Sequence, residues 1–109
     1  MKKLALLNTS ILTNDGEYSL RTITLEEAQA LVQAQSDNLD SAIGHESTAQ
    51  IMTTLLGADV AVNRQMFAQE VGQTALVFKL NGRPPEGKIL TAEEIEKIGY
   101  KWQVLERRA

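Results

Sequence analysis

With 109 residues, of which 43% are hydrophobic, the chain suits one domain around one core and leaves no room for a second. Cysteine is absent, which removes disulfides, thiolate metal sites and a cysteine nucleophile, and a reducing cytoplasm is the expected setting. Eleven basic and fourteen acidic side chains leave a net charge of −3 with no block of either sign. That excludes a protein that coats DNA or RNA through a basic face, but not one that holds a small anion by a few placed donors.

The opening Met1-Lys2-Lys3 and the apolar run Leu4–Leu7 only faintly imitate a signal peptide, whose apolar core needs roughly 7–15 residues. No stretch approaches the ~20 apolar residues of a membrane span. Leu4–Leu7 is instead apolar at every position, as in a strand covered on both faces and central in its sheet. Asn14-Asp15-Gly16 reads as a turn, and Glu17–Ile23 as a short strand. Thr24-Leu25-Glu26-Glu27 has the form of a capping box. The helix it opens runs to about Gln35, with Leu25, Ala28, Leu31 and Val32 on one face.

Ser36–Asp40 is polar and loop-like. A second helix is expected from about Glu46 to Leu56, stopped by Gly57. Arg64–Glu70 and Thr74–Leu80 read as two strands joined around Gly72, the second apolar on both faces and central. Gly82–Lys88 is a Pro/Gly loop. Thr91-Ala92-Glu93-Glu94 is a second capping box, opening a short helix that Gly99 stops, and Tyr100, Trp102 and Val104 mark a closing strand. The expected fold is a single α/β domain of α+β character, with helices packed on a mixed sheet of four or five strands.

Candidate chemistry centres on His45, the only histidine and the only side chain titrating near neutrality without a large shift. It stands in Ser41-Ala42-Ile43-Gly44-His45-Glu46-Ser47-Thr48, where the second helix begins. Helix starts expose unpaired amides and favour anions such as phosphate. Gly44 permits close approach, and Ser47 and Thr48 offer hydroxyl donors. The plain alternative, more frequent in proteins at large, is an ordinary helix start with Ser47 and Thr48 as caps.

Arg83-Pro84-Pro85-Glu86-Gly87 forms a stiff loop suited to presenting Arg83 and Glu86, or simply a turn. Asn8, Thr9 and Ser10 follow a central strand, where ligand crevices commonly form, though polar residues also end strands there. Arg64 is either a phosphate contact or a solvated charge. One histidine, no cysteine and scattered carboxylates give no metal-ligand spacing, and neither a Gly-rich phosphate loop nor a serine elbow occurs. The economical chemistry is therefore metal-free acid–base catalysis, without a cofactor, on a substrate that carries its own nucleophile.

Five segments, taken together and in order, resemble the viral ring nucleases. They are Asn8–Leu12, Ser41–Ala49, Val62-Asn63-Arg64, Arg83–Gly87 and Ile95–Tyr100. That family comprises type III anti-CRISPR proteins of archaeal viruses and bacteriophages, with relatives in bacterial CRISPR loci and mobile elements. The resemblance spans nearly the whole chain and is loosest over Thr13–Asp40. It implies a cytoplasmic homodimer that binds cyclic tetra-adenylate and cuts it to linear di-adenylate with a 2′,3′-cyclic phosphate, switching off type III CRISPR signalling.

By the resemblance His45 and Glu86 match the catalytic pair. Asn8, Ser10, Gly44, Ser47, Thr48, Arg64 and Arg83 fall in the ligand-binding set, and Lys79 stands where some relatives carry a ligand-binding glutamine. Neither DNA nor a membrane is an expected partner. Two other classes of function compete. One is a non-catalytic sponge or sensor of the same ligand. The other is an interaction protein that self-associates through Tyr100, Trp102 and Val104, which equally suit a half-buried core face.

Overall fold

The computed structural model describes residues 2–10, 12, 14–82 and 91–109. The expected loop through Arg83, Pro84, Pro85 and Glu86 lies outside them. Eight elements follow in order. They are β1 (Leu4–Leu7), β2 (Tyr18–Ile23), α1 (Leu25–Ala34), β3 (Leu39–Ser41), α2 (Glu46–Leu56), β4 (Thr74–Leu80), α3 (Ala92–Ile98) and β5 (Tyr100–Arg107). The strands form one mixed sheet in the order β2-β5-β4-β1-β3. β1 runs parallel to both β3 and β4, while β5 is antiparallel to β4 and β2.

The continuous apolar run of β1 follows from its place between two strands and two layers. Leu4 and Leu6 join the larger core with Ala28 and Val32 of α1, Met52 and Leu55 of α2 and Ile95 of α3. Ala5 and Leu7 face the other way, into a smaller cluster with Ala75, Val77, Leu105 and Phe67. The larger cluster holds buried residues of all three helices, so the helices share one face of the sheet. Trp102 and Val104 belong to this core, and the Trp102 ring stands 4.8 Å from that of Phe78. These two residues are thus core rather than a self-association surface.

Local chemistry sets the helix limits. Thr24 Oγ1 accepts from the Glu27 amide at 3.1 Å, while Glu27 Oε1 accepts from the Thr24 amide at 3.1 Å. Thr91 and Glu94 repeat the exchange at 3.2 Å in both directions. α2 ends at Gly57, whose φ of 68° is left-handed backbone that suits glycine.

Two expectations are corrected. The polar stretch at Ser36–Asp40 contains the start of a short edge strand, β3, whose parallel pairing matches Leu4 with Leu39 and Leu6 with Ser41. The expected strand at Arg64–Glu70 is not one. Residues 59–70 carry no regular structure and wrap the β3 edge as a strap.

Side chains rather than a ladder hold this strap. Ser41 Oγ donates to the Ala61 carbonyl at 2.6 Å, and Asn63 Nδ2 and Gln65 Nε2 donate to the Ser41 carbonyl at 2.8 and 2.7 Å. Beyond the edge, Phe67 is buried on the helix-free face. Gln69 Nε2 donates to the carbonyls of Gln73 and Leu105 at 2.7 and 2.9 Å.

Candidate functional site at the carboxyl ends of the parallel strands

The three mutually aligned strands β1, β3 and β4 end at the same edge of the sheet, where α/β folds place their ligand crevices. β1 leads there into Asn8, Thr9 and Ser10, and β3 into Ala42, Ile43, Gly44 and His45. The Ala42 amide donates to the Leu6 carbonyl at 3.0 Å, so the parallel register continues past β3 and brings Asn8 level with Ile43. The fold thus brings Gly44, His45 and Arg64 together just before α2 and sets Asn8 and Ser10 at the same edge of the sheet, past the end of β1. Ser47 and Thr48 stand in the first turn of that helix, both partly buried.

The start of α2 differs from the other two. α1 and α3 each have a complete capping box, whereas α2 begins at His45 with extended backbone (φ −125°, ψ 130°) and no side-chain cap. The first backbone bond into the helix is Ala49 N–H to the His45 carbonyl at 3.1 Å. No described residue accepts from the amides of Glu46, Ser47 or Thr48. Ser47 and Thr48 therefore do not cap the helix, which removes the plain reading of those hydroxyls. Three convergent N–H groups and the positive end of the helix dipole are left for an anion. The His45 side chain is exposed beside them.

Arg64 reaches this point through the strap. The Asn63 amide donates to the Ile43 carbonyl at 2.8 Å, which fixes the neighbouring Arg64 against Gly44. A Cβ placed on Gly44 would stand 3.3 Å from Arg64 Cγ. The absent side chain at Gly44 thus makes space for the arginine stem, a use of glycine that sequence reasoning assigned to the ligand instead. Ser10 Oγ is buried without any hydrogen-bond partner. A buried hydroxyl left unpaired costs about 1–3 kcal/mol, a cost that a ligand acceptor or donor would remove.

Another depression among the described residues lies elsewhere. A cleft of about 490 Å³ runs along β3 between Asp37, Asp40, Asp59 and Val62. Its three carboxylates repel phosphate, so charge argues against it as the anion site. Among the described residues no three His, Asp or Glu side chains meet as a metal-ligand group. No described helix is long and apolar enough to cross a membrane. Arg83 and Glu86 lie outside the described residues.

Fold and site together define a class, a small α+β domain with an uncapped helix start at the carboxyl ends of three parallel strands. The chain belongs to the STIV B116-like family, which it matches over residues 4–102. It is 36% identical to YddF of Bacillus subtilis (strain 168) over 105 residues, which span 96% of this chain and 97% of that one. It is 34% identical to ORF117 of Acidianus two-tailed virus over 108 residues, 95% and 92% of the two chains. The fold is that of B116 of Sulfolobus turreted icosahedral virus, with a TM-score of 0.83 at 23% identity over 95% of this chain and 98% of that one.

Proposed function

We propose that the protein is a ring nuclease that binds cyclic tetra-adenylate and cleaves it to linear di-adenylate bearing a 2′,3′-cyclic phosphate. In a virus this activity would serve as an anti-CRISPR, and in a host as an off-switch for type III signalling. The observation that carries the reading is the uncapped start of α2, with three free amides and the unpaired imidazole of His45 beside them. Arg64 and the unpartnered Ser10 hydroxyl support it by adding a cation and a donor at the same edge.

The reaction needs no nucleophile from the protein. The ribose 2′-oxygen attacks the adjacent phosphorus as its proton passes to solvent water, the bond from phosphorus to the 5′-oxygen breaks, and that oxygen takes a proton from His45. Held in line, the 2′-OH reacts as an intramolecular group, so positioning supplies a large part of the rate. His45 as general acid adds roughly 10²–10⁴-fold. Glu86 and Arg83 enter as the acidic partner and a further phosphate contact. The working unit is a homodimer, in which two histidines related by a twofold axis address opposite linkages of one ring.

Incubation of the protein with cyclic tetra-adenylate and excess EDTA, beside a His45→Ala variant, tests this reading. Conversion to di-adenylate cyclic phosphate by the wild type, strongly reduced in the variant, supports the nuclease. A sponge or sensor is the second reading, favoured by one observation: no described residue forms a hydrogen bond or ion pair with the His45 side chain to orient it. Tight binding with no cleavage by either protein selects that alternative.

A further inference from the structure

The register of β4 and β5 places two lysines directly across from one another, Lys79 and Lys101. The Asn81 amide donates to the Gly99 carbonyl at 2.8 Å, and the Arg107 amide to the Gln73 carbonyl at 3.3 Å. Odd-numbered partners are therefore the hydrogen-bonded pairs, and Lys79 and Lys101 form one, with Cα atoms about 5.5 Å apart. The pleat puts both side chains on the helix-free face, the side to which Val77 points. Both strands are interior to the sheet, so neither lysine is guarding an edge. No described side chain forms an ion pair with either. Like charges directly opposite destabilise a sheet, and here nothing in the described chain compensates them.

The position of the pair gives it a use. The parallel register of β1 and β4, Leu7 beside Val77, carries Thr9 level with Lys79. The lysines thus border the same strand ends as Asn8 and Ser10. They lie on the helix-free face, whereas the open start of α2 lies on the helix side. An anion with phosphates on both sides of the strand ends would meet amides and Arg64 on one side and two ammonium groups on the other.

We infer that Lys79 and Lys101 form a second phosphate subsite, which holds a phosphodiester other than the one at the start of α2. This deepens the proposed function and rests on it for the identity of the natural ligand. It does not rest on it for the existence of the subsite. Lys101 is the new element, since no sequence signal marks it until the strand register is known.

Inorganic pyrophosphate is the probe. In amide spectra of the full-length protein it is expected to move residues 78–80 and 100–102 saturably. Each of Lys79→Gln and Lys101→Gln should weaken that response about tenfold, and Lys3→Gln, at the opposite end of β1, should leave it unchanged. In anion-free buffer each single variant should raise Tm by about 1–5 °C, and the double variant no further, because one substitution already ends the repulsion. Unsaturable shifts, or equal response in the wild type and the double variant, overturn the subsite. So does a lowered Tm in both single variants.

Cyclic tetra-adenylate then separates the two claims. If it fails to bind where pyrophosphate binds, the nuclease reading falls and the subsite stands. If the double variant binds it as tightly as wild type, the subsite falls and the nuclease reading stands.

Discussion

The stem of Arg64 lies against the backbone of Gly44, close enough that a methyl group on that glycine would meet Arg64 Cγ at 3.3 Å. The contact joins the strap to the turn that precedes α2, and it couples the direction of a guanidinium to the size of one residue. Gly44 has no positive φ, so alanine is free to adopt its backbone. Arg64 is exposed and flexible, so it yields by a few tenths of an ångström.

Gly44→Ala is therefore expected to change stability by no more than about 0.5 kcal/mol, because the loss of contact is offset by a less flexible unfolded chain. Affinity for cyclic tetra-adenylate should fall severalfold as Arg64 is displaced. Thermal melting beside calorimetric titration checks both halves, and an unchanged affinity would remove Arg64 from the ligand set.

His45→Asn should separate stability from turnover. The position has N-cap backbone geometry and lacks a side-chain cap, which asparagine would supply at about 0.5–1 kcal/mol. For a domain of this size that raises Tm by a few degrees. Cleavage should fall by roughly 10²–10⁴-fold with the loss of the general acid. The variant is assayed by melting and by single-turnover product analysis. A variant that is more stable yet fully active would sink the assignment of His45.

Arg107 ties down the end of the sheet opposite the site. It donates to the Gln69 carbonyl at 2.6 Å and to the Asp15 carbonyl at 3.2 Å, and it stacks 5.7 Å from the centre of the Tyr18 ring. Arg107→Ala removes charge-assisted bonds that anchor the far end of the strap, at about 1.5–3 kcal/mol. Limited proteolysis should then cut within residues 59–70 at an increased rate, while Arg107→Lys recovers only part of the loss because it lacks the planar fork.

Alkaline stability should report on Tyr100. Desolvation by burial, with the charge of Glu96 second, raises its hydroxyl above the ordinary value of 10.0. A raised folded value means that the associated stability is fully present below pH 10 and is lost as pH climbs through the folded value. Tm measured from pH 9 upward should fall more steeply in the wild type than in Tyr100→Phe.

Much of this was legible in the residues, and the reasons differ from element to element. Thr24 with Glu27, Thr91 with Glu94, and Gly57 mark helix limits because a cap is local chemistry, complete within four residues. Leu4–Leu7 and Ala75–Phe78 are apolar on both faces because both strands lie inside the sheet. β3 was hidden because three residues cannot display a period, and its pairing is set by β1, far away in sequence.

Arg64–Glu70 misled for an instructive reason. The alternation there is real, with Phe67 and Gln69 buried and Met66, Ala68 and Glu70 exposed. It reports burial against a sheet face, however, and not a ladder. At the site, His45 and the helix start could be read directly. The packing of Arg64 on Gly44 and the pairing of Lys79 with Lys101 required the fold, since each joins residues about twenty positions apart.

The strap also decides where this protein is protected from its own kind. By occupying the carbonyls of Ser41 and Ile43, it denies the β3 side of the sheet to any incoming strand. Among the described residues β2 has a neighbour only on its β5 side, and it presents Leu20 at 47% exposure along its length. Unwanted growth of the sheet, in a crowded cell or a concentrated solution, is thereby confined to one direction. Arg21, charged and exposed in the middle of that strand, is the residue that stands against it.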